Sequence, residues 1–148
     1  MKQTTLFKSN LSHLRKIHRF CTEYDLDFRE VVEAIIEGKV DFEVDNYRFI
    51  HEDDIDEIQQ QELEGDRYIL GCFNAWFIAD NTDLSLAIVE ALQKGEQYEE
   101  IGNHIVDNGY LEVIQQDYSS ADGYGQHFAG YDHETIEDLL PYYVFRTN

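Results

Sequence analysis

The chain has 148 residues, 43% of them hydrophobic, and a formal net charge of −20. A chain of this length can bury about 70% of the surface that it exposes when unfolded, which excludes the disordered class and predicts one folded domain over residues 1–148. The net charge argues against direct binding to nucleic acid or to membrane phosphates, because a strongly negative field repels both.

The charge is divided unevenly along the chain. Residues 1–22 hold five cations and no acid, whereas the remainder carries all 31 acids and only six Lys or Arg. The strong negative charge of this remainder speeds its encounter with basic surfaces, so the expected partner is a basic protein. General solubility, as in halophilic proteins, is the alternative explanation for the same acidity.

The sequence predicts a cytoplasmic protein. The N-terminal residues MKQTTLFKSN lack the apolar core of a signal peptide, and no apolar run approaches the length of about 18 residues that a membrane helix needs. Cys21 and Cys72 lie in apolar helical contexts, which is typical of reduced, buried thiols, although a disulfide between them stays open. The oligomeric state, monomer or homodimer, is also open.

The first predicted element is an amphipathic helix over about residues 10–24, capped by Ser9 or Asn10. Its apolar positions recur at intervals of three and four, and its outer face is basic. We expect this face to dock onto, or to balance, the acidic remainder of the chain, with a nucleic-acid or membrane patch as the alternative. The basic residues are Arg15, Lys16 and Arg19.

A second helix and a hairpin follow. Asp27 is placed to cap the helix, and Gly38 is placed to end it. Apolar and acidic residues then alternate over about residues 40–50, with a turn at Asp45 and Asn46, which predicts a β-hairpin with one solvent-facing side. Three carboxylates share that side: Asp41, Glu43 and Asp45.

The most acidic stretch is residues 52–66, with eight carboxylates among fifteen residues. A sparse apolar stripe, ended by Gly65, predicts an exposed helix whose first-turn acids suit the helix dipole. Acids at i and i+4 would stand about 6 Å apart, comparable with phosphates along a nucleic-acid strand. The carboxylates are Glu52, Asp53, Asp54, Asp56, Glu57, Glu62, Glu64 and Asp66, of which the last three are not explained by the dipole.

The next stretch, residues 68–79, is nearly apolar all round and predicts the most buried helix, with Asn74 as a satisfied amide. Glycine punctuation then predicts helices after Thr82, over about residues 96–108 and over about residues 110–117.

Small residues and aromatics dominate from 118 to 133. We expect a loop, a strand containing His127, Phe128 and Tyr131, and a closing strand over 142–146. The predicted fold is therefore α+β: a single domain of mostly helices with a small antiparallel sheet, made of the hairpin and C-terminal strands.

One loop contains side chains that could perform catalysis. Histidine and aspartate together can hold a divalent metal or exchange protons, and four such residues lie among the glycines of 122–133. No known zinc-ligand spacing occurs, and the glycines do not form a phosphate loop, so we predict no catalytic residue, no metal, no cofactor and no enzyme activity. A metal-dependent enzyme at this loop is an alternative; its residues would be Asp122, His127, Asp132 and His133.

A second alternative is an adaptor protein that binds through exposed aromatic side chains and is therefore insensitive to salt. Its surface would be formed by Tyr124, Phe128, Tyr131 and Tyr142.

In size and in arrangement of charge, the chain resembles the small acidic DNA mimics of phages and plasmids, the antirestriction and anti-CRISPR proteins. The resemblance rests on the carboxylates of the hairpin and of residues 52–66, without an aligned motif. It implies a non-enzymatic inhibitor whose carboxylates replace phosphates in the groove of a defence nuclease or a regulator. The segments DRYILGCFNAWFIAD, ADGYGQHFAGYDH and YYVFRTN are also similar to uncharacterised bacterial and mobile-element proteins.

Overall fold

A computed structural model describes residues 11–148, so the predicted caps Ser9 and Asn10 lie outside the described residues. The fold is mostly helical with one small antiparallel sheet, which confirms the predicted α+β class. The described helices are α1 Leu11–Tyr24, α2 Phe28–Ile36, α3 Ile55–Glu64, α4 Arg67–Gly71, α5 Ala75–Asn81, α6 Leu86–Lys94, α7 Tyr98–Asp107, α8 Leu111–Asp122 and α9 Gly125–Phe128. The strands are β1 Asp41–Val44, β2 Tyr47–His51 and β3 Tyr142–Arg146.

The chain divides into two compact units. Unit 1 runs up to Ile55 and also includes Asp122–Asn148, whereas unit 2 is the continuous segment Asp56–Ala121. Each unit has its own cluster of buried apolar side chains. The expectation of one domain over residues 1–148 stays a prediction.

Unit 1 is built on the sheet, whose strand order is β1-β2-β3. The expected hairpin is confirmed: Phe42 lies opposite Phe49, and Asp45 adopts the left-handed backbone conformation that the tight turn requires. The rings of Phe42 and Phe49 stack with centroids 4.8 Å apart. The buried sides of α1 and α2, with Phe20 and Ile35, complete this core.

The caps of α2 follow the sequence. Asp27 accepts a hydrogen bond from the backbone N–H of Glu30, and Gly38 adopts a positive φ just after the helix. Asp27 stabilises the start of α2 because its carboxylate oxygen accepts from one of the backbone N–H groups that a helix leaves unpaired at its N-terminus.

Unit 2 is helical, and two glycines set its closest approach. Gly71 of α4 lies against the backbone of Tyr98, and Gly102 of α7 lies against the backbone of Arg67. A Cβ atom at either glycine would overlap those backbone atoms, so α4 and α7 can meet only without side chains at these positions. Buried aliphatic residues surround the crossing: Leu63, Leu70, Ile78, Val89, Ile101, Ile105 and Ile114.

The expectation that residues 68–79 form the most buried helix is wrong. The segment forms two short helices, because Asn74 accepts a hydrogen bond from the N–H of Trp76 at 2.9 Å and so begins α5 afresh. Tyr68 and Trp76 are exposed, Trp76 by 65%. The apolar residues of this segment therefore lie on both the buried and the exposed sides of the two short helices.

Two smaller expectations are also corrected. Ser85, and not Thr82, caps α6, since the Thr82 hydroxyl instead donates to the carbonyl of Ile78 in α5. His127 and Phe128 belong to the single turn α9 and not to a strand.

Cys21 is buried as expected, but Cys72 is exposed; neither forms a disulfide. Among residues 11–148, no helix combines the length and the apolar character needed to cross a membrane.

Candidate functional site

The hairpin divides its three predicted site residues between two roles. The carboxylate of Asp41 accepts two hydrogen bonds from Arg48, at 2.8 and 2.7 Å, and so serves the sheet itself. Glu43 and Asp45 are exposed. Alternation along the strand explains the pattern, because Phe42 and Val44 point into the core and the acids between them point outward.

The segment between β2 and α3 is a turn and not the expected first turn of a helix. The buried His51 accepts a hydrogen bond from the N–H of Asp53 at its Nδ1 atom, and from the N–H of Asp54 at its carbonyl. Residues 52–54 therefore precede α3, which begins at Ile55. Glu52 and Asp53 are exposed, whereas Asp54 is half-buried with a carboxylate oxygen 3.7 Å from His51 Nδ1.

This late start removes the expected i, i+4 rows of acids from α3. No two carboxylates between Ile55 and Glu64 are four residues apart. Glu57 and Glu64 instead share the outward side, seven residues or about 10 Å apart along the axis, while Ile55 and Leu63 are buried on the other side.

The remaining acids of unit 2 differ in their contacts. Asp56 accepts a hydrogen bond from the side chain of Gln115 at 2.9 Å, and Glu62 is exposed. Asp66 caps α4 by accepting from the N–H of Ile69 at 3.3 Å. Asp66 therefore has an ordinary structural role as a helix cap.

The eleven predicted residues belong to different units. Asp41 through Asp54 lie in unit 1, and Asp56 through Asp66 lie in unit 2. We call the exposed members in unit 1 that do not accept from Arg48 the hairpin acids, which are Glu43, Asp45, Glu52 and Asp53. The exposed members on α3 that take no hydrogen bond from Gln115 are the helix acids, which are Glu57, Glu62 and Glu64.

The aromatic alternative is wrong in two of its four residues. Phe128 and Tyr142 are each only 5% exposed, and the Tyr142 hydroxyl donates to the carbonyl of Lys39. Burial, with a contribution from Asp54, raises the pKa of Tyr142. Tyr124 is half-buried against Tyr143, and Tyr131 is exposed with the Arg146 guanidinium 3.8 Å from its ring centre.

The loop proposed for a metal-dependent enzyme does not present a ligand set. His127 packs edge-on against Phe128, and His133 sits in a left-handed backbone conformation. Within residues 11–148, no group of three or more His, Cys, Asp or Glu side chains is arranged to hold a metal ion.

The basic face of α1 is exposed at Arg15, Lys16 and Arg19. Lys16 and Arg19 line a groove together with Glu137 and Asp138 of the same unit, which places cations beside acids. This arrangement is consistent with the expectation that the basic face of α1 offsets part of the negative charge of the chain.

Sequence reasoning missed a contact between Asp83 and His104 in unit 2. The His104 Nε2 atom lies 2.6 Å from a carboxylate oxygen of Asp83, and this hydrogen bond lowers the pKa of Asp83. The two residues are 21 positions apart, and no local motif joins them. They connect the segment before α6 to the last turn of α7.

Comparison with known proteins adds no relative to this description. No protein-family model, curated protein or solved structure matches the chain. The resemblance to DNA mimics therefore rests on size and charge, and the candidate site rests on the geometry above.

Proposed function

We propose that this protein acts without catalysis, by binding a basic surface on a nucleic-acid-binding protein. In its most specific form it is a nucleic-acid mimic that occupies the groove of a defence nuclease or a regulator. The observation that carries the proposal is the solvent exposure of the hairpin acids and the helix acids in a chain of net charge −20. Each exposed carboxylate can pair with a lysine or arginine of the partner.

The contacts of the eleven acids refine which of them act on the partner. The carboxylates of Asp41, Asp56 and Asp66 accept hydrogen bonds within the chain, so changing them would also disturb the fold. Glu57 and Glu64 share one exposed side of a helix, about 10 Å apart. That pair is the best place to reverse charge without damage to the core.

The test begins with capture of the partner from the native host at low and high salt. A mimic should bind steeply less well as salt rises, and duplex DNA or RNA should displace it from the partner. The double variant Glu57→Lys, Glu64→Lys should abolish the association. Its matched control reverses two other exposed acids, Glu90→Lys and Glu134→Lys.

Each outcome decides between the proposal and its alternatives. Association that survives both salt and reversal of Glu57 and Glu64 would contradict the proposal. Equal loss from both double variants would indicate attraction by net charge alone. Unchanged binding with reduced solubility of the variants would favour general acidity, and binding that nucleic acid cannot displace would favour an adaptor.

A further inference from the structure

We propose that the groove between α2 and the outer edge of β1 receives an extended basic segment of a partner protein, which pairs with β1 as a fourth strand. The inference rests on the proposed function only in taking the partner to be basic. It adds a site in unit 1 that includes acids of α2 outside the hairpin acids and the helix acids.

The outer edge of β1 has main-chain groups available for a new strand. β1 is the end strand of the order β1-β2-β3, and no other strand of residues 11–148 pairs with its outer side. The Val40 carbonyl accepts from the His51 N–H at 2.8 Å, in the register that places Phe42 opposite Phe49. Antiparallel alternation then directs the N–H and C=O groups of Asp41 and Glu43 outward.

A groove lies beside this edge. One wall is the side of α2 that carries Glu30 and Glu33, continued by Glu37 at the C-terminal cap of the helix. The other wall is the strand itself, at Phe42, Glu43 and Val44. The groove encloses about 190 Å³ and is open to solvent, so it suits a chain that lies along it and not a small molecule that must be enclosed.

The charges of the groove select a basic occupant. Glu33 is 3.1 Å from Arg29 and Glu37 is 3.3 Å from Lys39, but all four side chains are more than half exposed. Exposed pairs of this kind contribute less than about 1 kcal/mol each, so cations of a partner can replace them. Lysine or arginine side chains of the segment can place their charged ends beside Glu30, Glu33 and Glu37.

A second copy of this chain does not fit the same edge. Edge-to-edge pairing of two β1 strands would bring the exposed acids of one copy against those of the other, and like charges on facing strands are destabilising. Acidic residues on a short edge strand also deter neutral strands. The edge therefore discriminates in favour of an extended segment with positive charge.

The first experiment uses a short fluorescein-labelled peptide that alternates lysine and valine, with binding followed by anisotropy. Two further peptides carry N-methyl groups on alternate amides, in one register or the other. Only one register should place its methyl groups against β1, and that peptide should bind about tenfold more weakly, as expected for lost main-chain hydrogen bonds. Equal affinity of the two methylated peptides would overturn strand pairing.

The second experiment changes the protein. Glu43→Gln removes one carboxylate, whereas Glu43→Pro also removes an outward N–H that β2 does not use, so the proline variant should bind the peptide about tenfold more weakly than the glutamine variant. Circular dichroism checks that both variants are folded. If the proline variant is unfolded, the methylated peptides decide the question alone.

The third experiment tests the helical wall. The double variant Glu33→Gln, Glu37→Gln should weaken peptide binding, while the matched variant Glu99→Gln, Glu100→Gln in unit 2 should not. Equal weakening by both double variants would show that the peptide is attracted by net negative charge and not by the groove, and this result would overturn the inference.

The groove and the proposed function can fail separately. If Glu57→Lys, Glu64→Lys abolishes association with the captured partner but the groove variants do not, the groove is wrong and the function stands. If the groove variants alone abolish it and nucleic acid fails to displace the protein, the groove stands and mimicry is wrong.

Discussion

The two units of this chain reach a packed core by opposite means. In unit 1, large aromatic side chains fill the space on one side of the sheet, as the stack of Phe42 and Phe49 shows. In unit 2, the fully buried apolar side chains are aliphatic, and the closest helix crossing depends on Gly71 and Gly102, which have no side chain. Unit 1 is therefore sensitive to the removal of volume and unit 2 to its addition.

The units also differ in how the sequence builds them. Unit 2 is one continuous segment, whereas unit 1 needs β3, from the far end of the chain, to pair with β2. Contacts between positions far apart in sequence cost more entropy to close than local ones. Unit 2 also contains a polar cluster in which the buried Gln115 donates a hydrogen bond to the buried Gln59.

The largest expected effects come from substitutions that remove volume from the core of unit 1 or add volume to the core of unit 2. Phe49→Ala removes a fully buried ring and should cost about 3–5 kcal/mol of the free energy of unfolding. Gly102→Val forces side-chain atoms into the backbone of Arg67 and should cost about 3 kcal/mol. Hydrogen exchange should rise at 41–51 and 142–146 for the first and at 67–71 and 98–107 for the second. Uniform increases in both variants would show that the chain unfolds as one cooperative block.

The two cysteines provide a chemical contrast between the units. Burial, together with the nearby charge of Asp27, raises the pKa of Cys21 from 9.0 to about 11, so little thiolate forms at neutral pH. Cys72 is exposed. Iodoacetamide should label Cys72 in the native protein and reach Cys21 only in denaturant, as mass spectrometry of peptides would show. Rapid native labelling of Cys21 would contradict the buried position of α1.

A smaller effect is expected from the buried glutamines. Gln115 donates to Asp56 and to Gln59 and accepts from Gln60, so Gln115→Leu should cost about 2 kcal/mol by leaving these groups unpaired. Gln59 is equally buried, but its Nε2 atom has no partner, and Gln59→Leu should cost clearly less. Denaturant titration of both variants gives the comparison. The reverse order would mean that Gln59 has a partner, such as a buried water.

The smallest effect concerns Asp83. Its pKa is lowered from 3.8 by the hydrogen bond with His104, so the pair adds stability that is present above pH 3.8 and is lost as the pH falls through the lower folded value. Wild type should exceed Asp83→Asn in thermal stability at neutral pH, and the difference should shrink to zero in stronger acid. A difference that persists there would indicate a contact other than the ionised carboxylate.

Much of unit 1 could be predicted from its sequence because the signals are local. The alternation of Phe42 and Val44 with acids predicts the hairpin, and Asp27 and Gly38 mark the ends of α2. The division of roles among the site acids could not be predicted in the same way. The carboxylate of Asp41 is occupied by hydrogen bonds from Arg48. The turn at residues 52–54 forms because His51, at the end of β2, accepts hydrogen bonds from the N–H groups of the turn.

The sequence alone decides the charge of this protein, the class of its fold and the positions of most of its helices, since these depend on composition, period and capping. Tertiary structure decides which apolar residues are covered, as the exposed Trp76 shows, and where two helices can touch. It also decides that the outer edge of β1 stays unpaired by any described strand. Burial and strand pairing require partners far along the chain, and no local pattern specifies those partners.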